Sequence, residues 1–213
     1  MSAYQDLMVF QRETEALSQV AGRLGWDQET MMPRDAAPQR GEEMAAMETV
    51  LHARRTAPQV ADWLAKAETS GEVEVAQLRH IRRSFERASK VPAKLASEIA
   101  HVTSQAQGKW AEAREADDFK AFAPVLKEVV SLKREEGAAL SAGGDVYDAM
   151  LDDYEAGATA AELSAMFDAL RPRLVGLRAA VLDAPAPAAL SGKFDEGAQM
   201  KLSRQIAKTF GYD

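Results

Sequence analysis

Three histidines, His52, His80 and His101, are the side chains best suited to metal-assisted hydrolysis in this sequence. A zinc hydrolase built on helices usually binds its metal through two histidines one helical turn apart, beside a glutamate that activates water. None of the three has a histidine four residues further on or a glutamate next to it. We expect each to be an ordinary helix residue. The alternative is a site that brings the three histidines together from different helices.

The sequence also lacks the residue patterns of other common catalytic mechanisms. There is no cysteine, no Gly-x-Ser-x-Gly turn and no glycine-rich phosphate loop. The acidic doublets Glu42-Glu43, Asp117-Asp118 and Asp152-Asp153 are typical of helix caps and helix-dipole partners. The sequence therefore predicts no catalytic residue, no cofactor-binding residue and no metal ligand in this chain.

The residues that stand out are Trp26, Asp27 and Gln28, which combine an aromatic ring, a carboxylate and an amide. Two uses remain open for them. They could line a cleft. Alternatively, they have a structural use in a helix-terminating loop, in which Trp26 packs as an anchor and the two polar side chains bind backbone groups.

The elements that must position these residues are helices, because apolar side chains recur at three- and four-residue steps almost throughout. The pattern predicts an all-α bundle of about eight to nine helices without significant β-sheet, as a single domain over residues 1–213. A first helix extends to Leu24, the run 25–35 breaks it, and Asp35 caps the second. A sixth helix fades at Gly137 and ends by Gly143-Gly144.

Towards the C-terminus, two local signals organise the chain. The sequence Thr159-Ala160-Ala161-Glu162 predicts a capping box that opens a long helix. The proline- and alanine-rich stretch Ala184 to Gly192 predicts a connection before the last helix.

Composition restricts the setting and the partners of the protein. The net charge of -7 and the pI near 5.1 disfavour binding to nucleic acid or to an anionic membrane surface. We find no run long and apolar enough for a membrane span and no secretory signal within residues 1–10. Together with the lack of cysteine, this predicts a cytoplasmic protein.

Three stretches of the sequence resemble the N-terminal part of the carboxypeptidase Taq family of zinc metallocarboxypeptidases. They are Leu24 to Pro33 with Arg40 and Glu43; Arg82 to Pro92 with Trp110, Asp118-Phe119 and Phe122 to Pro124; and Tyr147 to Gly157. Their order along the chain makes the resemblance more specific than any single motif. The ending Phe210-Gly211-Tyr212-Asp213 is similar to the stretch just before the family's first downstream motif.

The resemblance implies a parent enzyme that removes C-terminal amino acids from peptides, uses zinc and tends to form homodimers. Its His-Glu-x-x-His zinc helix would lie in a missing C-terminal catalytic part. This chain would contribute cleft wall and substrate access, and we expect it to be inactive alone. The faces of its last two helices that would pack on the missing part should be apolar and exposed, and should favour self-association. The alternatives are a stand-alone helical protein-interaction module and a small-ligand bundle with a site near Trp26.

Overall fold

The computed structural model describes residues 2–189 and 191–212, and within these ranges it contains nine α-helices and no strand. The all-α prediction is therefore confirmed. Met1, Leu190 and Asp213, which fall in stretches used above, lie outside the described residues. The helices are α1 (Ala3–Thr30), α2 (Ala37–Arg55), α3 (Pro58–Lys66), α4 (Glu72–Lys90), α5 (Ala93–Glu115), α6 (Phe119–Ser141), α7 (Val146–Leu151), α8 (Ala160–Asp183) and α9 (Glu196–Thr209).

The chain divides into two compact units, and the boundary falls between Leu163 and Ser164, within the sequence of α8. The first unit contains α1 to α7 and the first turn of α8. The second contains the rest of α8 and α9. The single domain over residues 1–213 stays a prediction. None of the described helices combines the length and the apolar character needed to cross a membrane.

The prediction that α1 breaks at Gly25 is wrong, because the helix continues through Trp26, Asp27 and Gln28 to Thr30. Two interior glycines destabilise a helix by only about 1 kcal/mol each relative to alanine, which tertiary contacts can offset. The helix ends near Pro33, since the residue before a proline is disfavoured in helical geometry.

Asp35 does not cap α2, contrary to expectation. It lies in the 3₁₀ turn Arg34–Ala36, and the N-cap of α2 is Ala36, which has no side-chain cap. The capping box further along the chain is confirmed. The Glu162 amide donates to Thr159 Oγ1 at 3.3 Å, and the Thr159 amide donates to Glu162 Oε2 at 3.1 Å.

The core of the first unit joins α1, α3 and α4. Leu7 and Val60 are fully buried, and Leu64 is 4% exposed. Phe10 adds a tilted contact to Trp63, with ring centroids 5.5 Å apart. This cluster holds the N-terminal half of α1, so that the Trp26 end of the same helix has a fixed base. Its remaining members are Ala57 and Leu78, with Tyr4, Met8, Ala67, Ile81 and Phe85 partly buried against them.

Gly137 does not mark a fading α6, as the sequence suggested, but the place where α7 packs closest. The glycine is buried, and a Cβ built on it would lie 2.8 Å from Val146 Cγ1 and 3.2 Å from Met150 Cγ. The 2.8 Å separation is shorter than two non-bonded carbon atoms tolerate. Helix α6 continues to Ser141 and ends with Ala142 in the left-handed conformation, at φ 48°, in agreement with the predicted end by Gly143-Gly144.

We expect Gly137→Ala to lower the free energy of unfolding by about 1–2 kcal/mol, because α7 must move away from α6. The matched control is Gly22→Ala in α1, where a Cβ meets nothing within 4 Å. That change should stabilise the protein by about 0.5–1 kcal/mol. Urea titrations followed by circular dichroism measure both. Equal effects of the two substitutions would contradict the close packing of α6 on α7.

Candidate functional site

Asp27 is held in an ion-pair network with a buried arginine of α2. Arg40 Nη2 donates to Asp27 Oδ2 at 2.6 Å, and Arg40 Nε donates to Glu43 Oε2 at 2.8 Å. Arg40 Nη1 also donates to the Leu24 carbonyl oxygen. The Asp27 hydrogen bond, helped by Glu43, raises the pKa of Arg40 although burial opposes this. Asp27 therefore fixes the end of α1 to α2, and its charge is compensated.

Gln28, on the next position of α1, is bound to α5. Its Nε2 donates to the Ser104 carbonyl oxygen at 2.7 Å, and Ser104 Oγ donates to Gln28 Oε1 at 2.7 Å. Ser104 is buried. The amide thus uses its donor and its acceptor on a single residue, which sets the position of α1 against α5.

Trp26 differs from its two neighbours because its side chain is 62% exposed. The structure therefore brings Asp27 and Gln28 into contact with other helices and leaves the indole largely in solvent. All three lie in the last turns of α1 rather than in a loop. Packing of Trp26 as a buried anchor does not occur.

A cleft of about 350 Å³ lies beside this end of α1. Gln28, Glu29 and Met32 line one side, and Lys109 and Glu112 of α5 line the other. Because positive and negative side chains both line the cleft, it has no preference for ligands of one charge. Of the three candidate residues, only Gln28 lines this cleft.

The three histidines lie on three different helices, α2, α4 and α5. His52 is buried, with Nε2 2.7 Å from the Val91 carbonyl oxygen, and His80 is exposed. His101 Nε2 lies 3.0 Å from Gln105 Nε2. Among residues 2–189 and 191–212, no three histidine, cysteine, aspartate or glutamate side chains gather as metal ligands. The structure does not bring the three histidines together in the part of the chain that it describes, and the absence of a metal ligand stays a prediction.

A second ion-pair network, which the sequence did not reveal, joins α4 to the end of α7. Arg83 Nη2 lies 2.6 Å from Asp152 Oδ2, and Arg87 Nη1 lies 2.9 Å from the same oxygen. Arg87 Nη2 also lies 2.5 Å from Asp153 Oδ1. The available signal was the four-residue spacing of the arginines, which puts both on one face of α4.

The pKa of Asp152 reflects the hydrogen bonds and ion pairs that its carboxylate makes in this network. Burial alone would raise the pKa, but the Gly157 amide, which donates to Asp152 Oδ1 at 2.9 Å, and the Arg83 guanidinium outweigh it. The net effect holds the pKa of Asp152 below its usual value. The carboxylate is therefore stabilised in its charged form, which is unsuited to donating a proton.

We expect Asp152→Asn to lower the free energy of unfolding by about 1 kcal/mol near neutral pH. A pKa lower in the folded than in the unfolded state means that the stabilisation exists above the unfolded-state value. It disappears as the pH falls through the folded-state value. The difference in the free energy of unfolding between Asp152→Asn and the unsubstituted protein should therefore shrink as the pH is lowered. The more exposed Asp153→Asn, which loses one arginine contact, should show a smaller effect in the same pH series of urea titrations.

A polar pocket of about 160 Å³, open to solvent, adjoins this network. Glu48, His52, Arg55 and Glu136 are among the residues that line it. Burial raises the pKa of Glu48, against the opposing charges of Arg55 and His52. Arg55 Nη1 lies 3.4 Å from Glu48 Oε2. The cavity combines acids and bases that offset one another, without a hydroxyl or thiol nucleophile among its lining residues.

Residues 6–213 match the sequence model of a family described as carboxypeptidase Taq (M32) metallopeptidase. Thermostable carboxypeptidase 1 of Thermus thermophilus is 36% identical over 230 residues, which cover 100% of this chain and 45% of that protein. Among solved structures, the M32 carboxypeptidase of Deinococcus radiodurans has 29% identity and a TM-score of 0.77, with coverage of 99% and 44%.

A Pyrococcus furiosus carboxypeptidase structure gives a TM-score of 0.80 at 26% identity, covering 100% of this chain and 44% of that one. The chain thus spans less than half the length of the relatives that it matches. The similarity extends through both compact units, because the matched residues run from α1 to beyond α9.

Proposed function

Because the chain belongs to the carboxypeptidase Taq (M32) metallopeptidase family, we propose that it forms the N-terminal helical part of an enzyme that removes C-terminal amino acids from peptides. The observation that carries the proposal is a match over 100% of this chain but only 45% of a Thermus thermophilus carboxypeptidase. The rest of such an enzyme would supply the metal ligands and the attacking water. Zinc, or another divalent metal, would polarise the scissile carbonyl there.

The role of this chain is to form cleft wall and to control access. Asp27 and Gln28 hold the end of α1 against α2 and α5, which supports a rigid wall. Trp26, exposed on the same turns, is the side chain available to contact a peptide. An exposed aromatic side chain on a rigid support favours contact with extended peptide ends without requiring a particular sequence.

Alone, the chain is proposed to be inactive. His52 and His101 contact groups within the fold, and His80 lies on a third helix. A hydrolytic metal centre needs ligands that converge on one point, and these three do not. The separation of these donors supports the proposed inactivity.

We also propose a cytoplasmic setting and homodimers, without nucleic acid or membrane partners. The absence of cysteine suits a reducing compartment, and the net charge of -7 disfavours polyanions. Peptides are the expected substrates of the complete enzyme. The homodimer is proposed from the tendency of the family to dimerise.

A chimaera tests the proposal directly. This chain replaces the matching part of the Thermus thermophilus carboxypeptidase, and release of the C-terminal residue from a short peptide is measured with zinc or cobalt present. We expect clear metal-dependent release, whereas the remainder of the relative without this chain should be inactive. A chimaera that unfolds cooperatively and binds metal but releases nothing would contradict the proposed role, and would favour a stand-alone interaction module.

A further inference from the structure

The part of α8 in the second unit is apolar around much of its circumference. One row follows the three- and four-residue steps of a helix face, and its members are 42% to 63% exposed. At 100° per residue, a second row lies roughly 110° further around the helix. The first row is Phe167, Leu170, Leu174, Leu177 and Val181, and the second is Val175 and Leu182.

Between the two rows lie Arg171 and Arg178, which border a groove of about 320 Å³ on this helix. The groove is lined by apolar side chains of both rows, including Leu174 and Val175. Helix α9 adds Met200, Leu202 and Ile206, each at least half exposed. Exposure of so many large apolar groups in a unit of fifty residues is unusual for a soluble surface and marks an interaction site.

We propose that α8 from Ser164 onward is a core helix of the complete enzyme, enclosed by the portion of an M32 carboxypeptidase that this chain does not match. This inference rests on the proposed function. The solved relatives carry more than half of their length outside the matching part, which is ample to cover the helix. The occupant is thus a polypeptide with apolar surfaces that meets both rows.

Dimerisation with a second copy of this chain would cover the exposed apolar rows of α8 less completely. One helix–helix contact covers a stripe about 100° wide, so a two-fold contact through α8 would bury one row. The other row, with Val175 and Leu182, would remain in water. Enclosure by several elements of the same enzyme covers both rows, and the aliphatic stems of Arg171 and Arg178 can lie between them.

Amide hydrogen exchange compares α8 in the isolated chain, at low concentration, with α8 in the chimaera described above. The proposal predicts that amides of residues 164–183 exchange about tenfold or more slowly in the chimaera. Val175→Lys should remove this protection there, because a buried lysine is disfavoured. The matched control is Val75→Lys on α4, a valine of similar exposure, 55% against 62%, which should leave α8 protected.

Equal exchange of α8 in the two proteins would overturn the inference. Protection that rises with the concentration of the isolated chain, and reaches the level of the chimaera, would overturn it in favour of a second copy. Protection of α2 and α5 in each sample shows that the variants are folded, and Leu177→Gln gives a milder second variant. Peptide release is recorded separately. A protected but inactive chimaera contradicts the proposed function alone, and an active chimaera with unprotected α8 contradicts this inference alone.

Discussion

Replacing Leu7 with alanine is expected to lower the free energy of unfolding by about 3–4 kcal/mol, the largest effect of a single truncation in this chain. Leu7 has no exposed surface and packs in the cluster that contains Val60, Leu64 and Leu78. The substitution removes buried methyl groups and leaves a cavity between α1, α3 and α4. These helices enclose it from several sides and cannot collapse fully into it.

Leu126→Ala on α6 is the matched control, because it removes the same atoms from a leucine that is 36% exposed. We expect that change to cost about 1 kcal/mol or less. Urea unfolding followed by circular dichroism compares the two variants. A loss at Leu7 no larger than that at Leu126 would show that the cluster around Leu7 is not the core of the first unit.

Arg40→Met is expected to cost about 2–3 kcal/mol. Methionine fills a similar volume, so the loss comes from the partners rather than from a cavity. Asp27 and Glu43 lose their counter-charge, and the Leu24 carbonyl oxygen loses a donor. Both carboxylates are more than a third exposed, which keeps the effect below that of a fully buried pair.

The control for Arg40 is Arg34→Met, since Arg34 pairs with Glu115 at 3.2 Å with both side chains more than 70% exposed. An exposed pair contributes at most a few tenths of a kcal/mol, so the free energy of unfolding should change by about 0.5 kcal/mol or less. If both variants lose equally little, Arg40 does not hold α1 to α2, and the rigid wall proposed for the cleft loses its support.

Local sequence signals predicted most of the helices correctly. The capping box at Thr159 and Glu162 depends on residues three apart, so the sequence contains the whole interaction. The end of α1 was mispredicted because its stability depends on residues that are distant along the chain. Gly25 favours a break by itself, but Arg40, thirteen residues beyond Asp27, and Ser104 bind the last turns and stabilise them as helix.

The ion pairs between α4 and α7 could not be predicted in the same way. The spacing of Arg83 and Arg87 shows that both side chains share a face, but not what they face. Their partner Asp152 lies 65 residues beyond Arg87, and the doublet it forms with Asp153 has many possible uses. Such a contact exists only once α6 and α7 have turned the chain back. The resemblance to a family identified this stretch as important without giving its physical reason.

The placement of Trp26, Asp27 and Gln28 separates two kinds of contribution to a cleft. Asp27 and Gln28 hold helices in position through charge and hydrogen bonds, and their side chains have little left to offer a substrate. The Trp26 side chain holds no other helix in position and remains exposed. In the proposed enzyme, a wall built in this way would give a peptide an aromatic surface on a fixed support, and the bond-breaking chemistry would depend on residues of another segment.

The most direct measurement is a peptidase assay of the isolated chain with added zinc or cobalt and a peptide that has a free C-terminus. Because its histidines are held on separate helices, the chain should release no terminal amino acid above the rate of buffer with metal alone. Metal-dependent release by the purified chain, removed by a chelator and restored by zinc, would contradict the account.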